Sequence, residues 1–508
     1  MWAMLSSSDP ILTCAEAGRF EEKFFGGDEG AEWTAMSRAG NAVAEAVERD
    51  FSEIGGFPPA ARLLVLAGKG HNAGDALIAA RRILEKFPDA RAEVIFVFGN
   101  RGLRPLTQRA WRDLTQDARA RVTGGAARAD YDLCLDGVFG FQFRPPLPAR
   151  AAVVLRRVNG LSIRLRAAVD LPSGLGEADA FRADFTYATG IVKSPVLDNE
   201  QAGRLRYLDL GFFTSAEVRG APDRVLLPAL LAPLAGLRSP FSDKRSYGHL
   251  CLIGGSTNFP GAILMATLSA LRSGVGLVTA CVPASLAPAF AARAPEAMWV
   301  GLPETSDGAL ALAGRDRILS RLERADAIVI GPGLGRDPEA LALVAGIVRS
   351  SKIPVLLDAD ALQREIVREA RSRLVLTPHA GEFARIAGRT GLKAYCSRTG
   401  ATVVLKGPVT KVAAKGRSAA NPVFHSFFGG PVLARGGSGD ILAGLVGGLL
   451  AQTPDRPLLA ACRGVLWHGL AADALARRYG QASVHTTQLL DFLPDVLRWS
   501  ALSLTRWP

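Results

Sequence analysis

Short apolar runs recur along the chain, most of them closed by Gly, Asp, Lys or Thr-Pro and followed by segments with helical spacing. Arg62–Ala67, Val94–Phe98, Leu133–Asp136 and Ala167–Asp170 make a first series of predicted strands. Leu250–Ile253, Ala327–Ile330, Val355–Leu357, Leu374–Leu376 and Val403–Leu405 make a second. Runs this apolar read as strands buried in a sheet, and their alternation with helical segments as α/β units. In parallel α/β sheets ligands gather outside the carboxyl ends of the strands, and the polar residues of both series stand there. Between the series, Thr214–Ser246 carries Pro222, Pro228, Pro233 and Pro240 and reads as an interdomain connection. The pattern predicts two α/β domains, residues 1–221 and 222–508, each with its own site, and shows no internal repeat.

Composition narrows the function classes. With 48% hydrophobic and 21% charged residues, the 508-residue chain has the balance of a globular protein. The longest apolar segment, Ile441–Ala451, is too short and glycine-rich to span a bilayer, so no membrane partner is expected. No basic residue precedes Arg19 and no apolar core follows the N-terminus, so no secretory signal is expected and the predicted location is cytoplasmic. The six cysteines, Cys14, Cys134, Cys251, Cys281, Cys396 and Cys462, are scattered without a CxxC or a nearby His cluster. That argues against a disulfide frame or zinc site and for a reducing compartment. The net charge of +12 comes from 60 Lys and Arg residues without a basic tract or interleaved aromatics. Phosphate-bearing small ligands explain it more economically than nucleic acid.

The chemistry concentrates first in Gly436-Gly437-Ser438-Gly439-Asp440, ahead of Ile441-Leu442-Ala443-Gly444. Glycines let backbone N–H groups approach an anion, and a following helix turns its positive end toward it. An aspartate in the first turn is placed to activate a hydroxyl beside a phosphate. Taken alone, Asp440 reads equally well as an N-cap. Four further strand ends point the same way: Gly331-Pro332-Gly333-Leu334-Gly335, Asp358-Ala359-Asp360-Ala361-Leu362, Thr377-Pro378-His379-Ala380-Gly381-Glu382-Phe383 and Lys406-Gly407-Pro408-Val409-Thr410.

With Gly248–Ser256, these segments resemble the ribokinase-like superfamily, specifically its ADP- or ATP-dependent NAD(P)H-hydrate dehydratase branch, over roughly Asp223 to Pro508. The resemblance implies a ribokinase-like α/β/α domain in which Asp440 contacts the substrate and acts as base. It implies that Gly439 and Lys406, Gly407, Pro408, Val409 and Thr410 hold the adenine nucleotide, ADP or ATP, with Mg2+ as a further candidate ion. Ala262, Gly333 and His379 would line the hydrated-nicotinamide pocket. Ala380 stands where the family usually has Pro, Ser438 where it has Thr, and Phe428-Gly429-Gly430-Pro431 lacks a common Asn.

Upstream, Leu63–Leu66 is followed by Gly68-Lys69-Gly70-His71-Asn72-Ala73-Gly74-Asp75 and a helical Ala76–Leu84. Glycines at a strand-to-helix turn again suit a phosphate. Asp136 and Asp170 each end a strand, before Gly137-Val138-Phe139-Gly140 and Leu171-Pro172-Ser173-Gly174-Leu175, and either alone reads as turn initiation. Together with Met36–Gly40, Ala183–Thr186 and Gly203–Gly211, these segments resemble the NAD(P)H-hydrate epimerase domain, over roughly Pro10 to Phe213. That implies a Rossmann-like α/β/α sandwich. It also implies contacts to the hydrated dinucleotide, NADHX or NADPHX, from His71, Asn72, Ala73, Gly74, Asp75, Gly140, Phe141, Gln142, Phe143, Arg144, Pro145, Pro146 and Asp170. Asn72, Asp136 and Ser173 would bind K+, an all-oxygen set suited to a hard cation. Asp170 is the candidate base. His71, Ala76 and Phe141-Gln142-Phe143 depart from the usual pattern, and the segment between Gly176 and Ala183 is shortened.

The resulting expectation is a bifunctional enzyme, homo-oligomeric, that epimerises the R and S hydrates and dehydrates the S form with ADP. The alternatives are a small-alcohol or vitamin-precursor kinase sharing the Gly436–Asp440 loop, and a first domain that serves as a binding scaffold.

Overall fold

The computed structural model describes residues 6–118, 121–124, 130–213, 220–416 and 422–498. They form two compact units, one built on Asp9–Val225 and the other on Leu226–Leu475. Of the expected connection, residues 214–219 lie outside the described residues. The remainder is partly ordered structure, with a strand at Asp223–Leu226 and a 3-10 helix at Pro228–Ala235.

In the first unit, seven strands run in the order Val122–Gly124, Arg91–Phe96, Arg62–Ala67, Asp130–Gly137, Ser162–Val169, Phe185–Thr189 and Arg204–Leu208. Every neighbouring pair is parallel. Side-chain alternation along one strand builds both faces. Leu63, Val65 and Ala67 pack with Val43, Val47, Leu77 and Leu114 of the helices on one side. Leu64 and Leu66 pack with Leu155, Val158 and Phe181 on the other. Strand order reverses between Arg62–Ala67 and Asp130–Gly137, which puts a crevice at their carboxyl ends.

Two expected boundaries shift for physical reasons. The strand expected at Val94–Phe98 runs Arg91–Phe96, because buried Glu93 accepts a 2.7 Å hydrogen bond from the Tyr131 hydroxyl and so belongs inside the sheet. The strand expected to include Asp170 stops at Val169, and Asp170 turns into left-handed backbone at φ 66°.

The second unit carries nine strands in the order Met298–Leu302, Leu277–Pro283, His249–Ile253, Ala327–Ile330, Val355–Leu357, Leu374–Leu376, Thr402–Leu405, Thr410–Ala413 and Val423–Ser426. The first seven are parallel, and the last two pair antiparallel. Order reverses between His249–Ile253 and Ala327–Ile330, so Gly331–Gly335 emerges at a second crevice. Both units thus have the α/β architecture expected of them, with parallel strands delivering their carboxyl ends to a common edge.

The apolar segment Ile441–Ala451 is the body of the helix Ser438–Gln452, buried from Ile441 to Ala451. Its glycines set how closely it packs. A Cβ at 444 would run into the Ala266 carbonyl oxygen and Ser269 Oγ of the helix Pro260–Arg272, and one at 447 would meet Val329 of the sheet. The Ser269 hydroxyl donates to the Ile441 carbonyl at 2.8 Å across the same crossing. The helix Pro457–Tyr479 is long and apolar enough to cross a membrane, yet most of it is buried in the protein interior.

Because the crossing at Gly444 has no room for a methyl group, Gly444→Ala is expected to destabilise the second unit by about 1–3 kcal/mol, the usual cost of overpacking. Chemical denaturation followed by tryptophan fluorescence measures this.

Candidate active sites

At the first crevice, the helix His71–Lys86 starts from Gly70, whose carbonyl accepts a 2.8 Å hydrogen bond from the Thr107 hydroxyl. His71, Asn72 and Asp75 project from its first turn into a cavity of about 500 Å³. Gly140, Phe141, Gln142, Phe143, Arg144 and Asp170 line the same cavity. Ala73 and Gly74 point elsewhere: both are buried, and Gly74 lies against the Met36 thioether. Pro145 and Pro146 are exposed just beyond the lining.

The wall beneath is polar and buried. Asp136 and Ser173 are fully buried. Asp136 accepts from the Ser173 hydroxyl at 2.6 Å, the Ser173 N–H at 2.7 Å and the Val138 N–H at 3.2 Å. Burial nevertheless pushes its carboxyl up to about 6. Asn72 Nδ2 donates to the Phe139 carbonyl at 2.8 Å, while its buried Oδ1 has no hydrogen-bond partner among the described residues. An orphaned amide oxygen costs free energy unless something fills its lone pairs. Together with the Asp136 carboxylate it makes an oxygen-only donor set, which fits a hard cation and not a soft transition metal.

Asp170 does not stand alone. Its Oδ1 accepts a 2.6 Å charged hydrogen bond from Lys193 Nζ, and both side chains are buried. Its other oxygen faces Gly140, where a Cβ would come within 3.8 Å. Lys193 also lies 5.2 Å above the Phe141 ring. Burial first, then the Asp170 and Glu21 charges, raises Asp75 well above the carboxylate range. Lys193 and Glu21 were not among the residues anticipated from sequence. The signal for Lys193 was a lone lysine closing the apolar run Ile191-Val192; Glu21 lies on a helix whose sequence gave no motif.

In the second unit, three adjacent strand ends deliver Asp358, Thr377 and Lys406 side by side. Asp358 Oδ1 accepts from the Thr377 hydroxyl at 2.8 Å and from Lys406 Nζ at 3.0 Å. Burial pulls the Lys406 ammonium down, but Asp358, Glu382 and Asp440 outweigh it and hold it above its ordinary value. Gly437 caps the helix Ser438–Gln452 in left-handed backbone (φ 93°) with no side-chain cap. Asp440 is therefore in the first turn and is not the N-cap, which frees its carboxylate for other work. Gly439 sits between, with Lys406 Nζ 3.2 Å and Asp358 Oδ2 4.0 Å from where its Cβ would be. Burial, then the Asp358 charge, raises Asp440 to about 7, with Lys406 opposing.

Exposed Gly407 and Pro408 and half-buried Val409 form the turn between Thr402–Leu405 and Thr410–Ala413, the second of which Thr410 begins. Ala262 and Gly333 are brought together, the Ala262 methyl lying 3.2 Å from a Cβ at 333. His379 is exposed and caps the helix Ala380–Ala387: its Nδ1 accepts from the Gly381 N–H at 3.0 Å and the Glu382 N–H at 3.3 Å. Asp360, the second carboxylate of its motif, pairs with Arg336 at 3.0 Å rather than joining Lys406. Asp358 and Glu382, which flank Lys406, complete the charged cluster.

A carboxyl raised by a neighbouring carboxylate should respond to that neighbour. The Asp440 carboxyl carbon, followed by NMR, is expected to titrate near pH 7. In Asp358→Asn the midpoint is expected to move to lower pH, because the second-largest cause of the rise is gone. An unchanged midpoint would separate the two groups.

The family described as NAD(P)H-hydrate dehydratase matches residues 250–495. The family described as YjeF-related protein N-terminus matches residues 34–194. The bifunctional NAD(P)H-hydrate repair enzyme Nnr of Moorella thermoacetica is 34% identical over 96% of this chain and 96% of its own. Its counterpart from Gloeobacter violaceus is 38% identical over 90% of this chain and 92% of its own. Among solved structures, the ADP/ATP-dependent NAD(P)H-hydrate dehydratase of Bacillus subtilis, co-crystallised with ATP/Mg2+, is 28% identical with a TM-score of 0.44, covering 51% of this chain and 92% of that one. The full-length identity across both units places the chain in the family of bifunctional NAD(P)H-hydrate repair enzymes.

Proposed function

We propose that the chain restores hydrated NADH and NADPH in two steps, epimerising the R and S hydrates in the first unit and dehydrating the S form in the second at the expense of an adenine nucleotide, ADP in our reading. The observation that carries the second step is Asp440, a carboxyl held near neutrality at a helix N-terminus beside Lys406 and Gly439.

A base of that acidity takes a hydroxyl proton at neutral pH without being fully neutralised itself. The hydrate oxygen then attacks the terminal phosphorus, the bond to the bridging oxygen breaks, and AMP leaves. The phosphorylated carbon next loses inorganic phosphate while the adjacent carbon gives up a proton, and the double bond of the reduced nicotinamide returns. Lys406 and the N–H groups at Gly439 are assigned to the nucleotide phosphates, with Gly407, Pro408, Val409 and Thr410 along the same nucleotide. Positive charge and aligned dipoles there meet the charge that builds on the phosphoryl oxygens. Ala262, Gly333 and His379 are assigned to the nicotinamide side.

In the first unit, Asp170 is assigned as base, with its carboxylate aimed at the cavity and steadied by Lys193. The free oxygen of Asn72 and the buried Asp136 and Ser173 support a K+ site beside it. The cation would supply positive charge under the loop that holds the dinucleotide. All six cysteines are unpaired, which suits the reducing cytoplasm we assign.

The test is to incubate the protein with mixed NADH hydrate isomers and ADP and follow recovery of reduced-nicotinamide absorbance. Complete recovery with release of inorganic phosphate is expected. Asp440→Asn should slow recovery by about 100-fold or more, the usual scale for a lost general base. Asp170→Ala should stop with the R form left over. A stable phosphorylated product would identify a kinase instead, and no recovery with ADP or ATP would remove the dehydratase assignment.

A further inference from the structure

Exchanging the configuration of the hydroxyl-bearing carbon needs more than the base assigned above. That carbon also carries the ring nitrogen, so it is a masked aldehyde. Its configuration is lost when a base takes the hydroxyl proton, the carbonyl forms, and the carbon–nitrogen bond breaks. The bonding electron pair passes to the nitrogen, which must receive a proton. Rotation about the adjoining carbon–carbon bond and the reverse steps close the ring with the opposite configuration. The protons return to their donors, so the cycle needs one base, one acid and no co-reactant.

Glu21 stands on the helix Cys14–Phe25, whose start is fixed by reciprocal hydrogen bonds between Thr13 and Glu16. It lines the cavity that holds Asp170 and Lys193, and also the adjoining cavity of about 890 Å³. Among the described residues no hydrogen bond or ion pair engages its carboxyl, so it is free to meet a ligand there. It precedes the residues 34–194 matched by the epimerase-side family.

We propose that Glu21 is the acid partner of Asp170, giving the ring nitrogen its proton on opening and taking it back on closure. The assignment rests on the epimerase reading of this unit. Burial raises the Glu21 carboxyl to about 7, with Lys193 opposing and Asp170 and Glu32 adding to the rise. A group with that acidity both gives and recovers a proton near neutrality. Two carboxyls held in such different surroundings within one cavity are the usual basis for separate acid and base roles. His71 and Asp75 from the helix His71–Lys86, with Arg104 and Arg144 from the loops, also face Glu21. Asp75 lines the same two cavities and is the competitor for the role, which the variants below separate.

The experiment uses the full chain and R-NADHX without nucleotide, with the isomers separated chromatographically. Epimerisation kcat/KM is expected to fall as pH rises through about 7, where Glu21 loses its proton. Glu21→Gln is expected to lower kcat about 100-fold, with KM changed by less than about threefold, and to remove the falling limb. The unchanged KM for R-NADHX shows that the first unit is folded, and undiminished dehydration of the S isomer shows the same of the second. Near wild-type turnover in Glu21→Gln overturns the proposal, as does a limb that survives in Glu21→Gln and disappears in Asp75→Asn. A wild-type protein that epimerises nothing removes the epimerase reading itself, and Glu21's role with it.

Discussion

A carboxylate withdrawn from water must be met by a cation or by several donors, and in each unit a lysine delivered by another strand end does this. Lys193 meets Asp170 at 2.6 Å, and Lys406 meets Asp358 at 3.0 Å. Asp358 and Lys406 follow strands of one sheet, whose register fixes their separation, whereas Asp170 follows Ser162–Val169 and Lys193 ends the short strand Val192–Lys193, which pairs with Ser8–Leu12 instead. Removing either lysine leaves a buried charge uncompensated, a loss of about 3–5 kcal/mol in comparable pairs. The same pairs orient the groups around them. Lys193 takes one oxygen of Asp170 and leaves the other toward the cavity, while Asp358 holds Lys406 beside Gly439 and helps keep Asp440 near neutrality.

That arrangement explains which parts were legible in the sequence. Runs such as Arg62–Ala67, Val355–Leu357 and Leu374–Leu376 coincide with their strands because both faces of each are covered, so every position after Arg62 is apolar. Phe185–Thr189 and Leu277–Pro283 were passed over because Thr186 and Thr279 break the apolar pattern. Both threonines are buried, and Thr186 donates to the Ala202 carbonyl at 2.6 Å. A satisfied hydroxyl inside a sheet looks like an exposed one in a sequence.

The sites follow the same logic. Asp440, Lys406 and Asp358 stand next to glycine, proline or another acid at strand and helix ends, where local spacing advertises them. Lys193 and Glu21 have no such neighbours. A lysine after an apolar run, or a glutamate on a mixed helix, usually stands on the open surface, and only the fold shows Lys193 buried and Glu21 lining the cavity. Conversely, Ala73 and Gly74 lie inside a legible motif yet face the core, because a helix turns successive residues away from one another.

The two chemistries ask different things of their carboxyls. Epimerisation ends where it began, with every proton returned, so it turns over only if acid and base each recover near the working pH. The dehydratase spends a phosphoanhydride bond and draws on one isomer alone. Its consumption of the S form displaces the epimer equilibrium, so the first unit needs speed in both directions but no driving force of its own. Under the roles proposed above, the cavity that Asp170 and Glu21 share would serve that exchange. Under the assignment proposed above, the positive charge of Lys406 and the helix N-terminus would meet the charge that builds on phosphate.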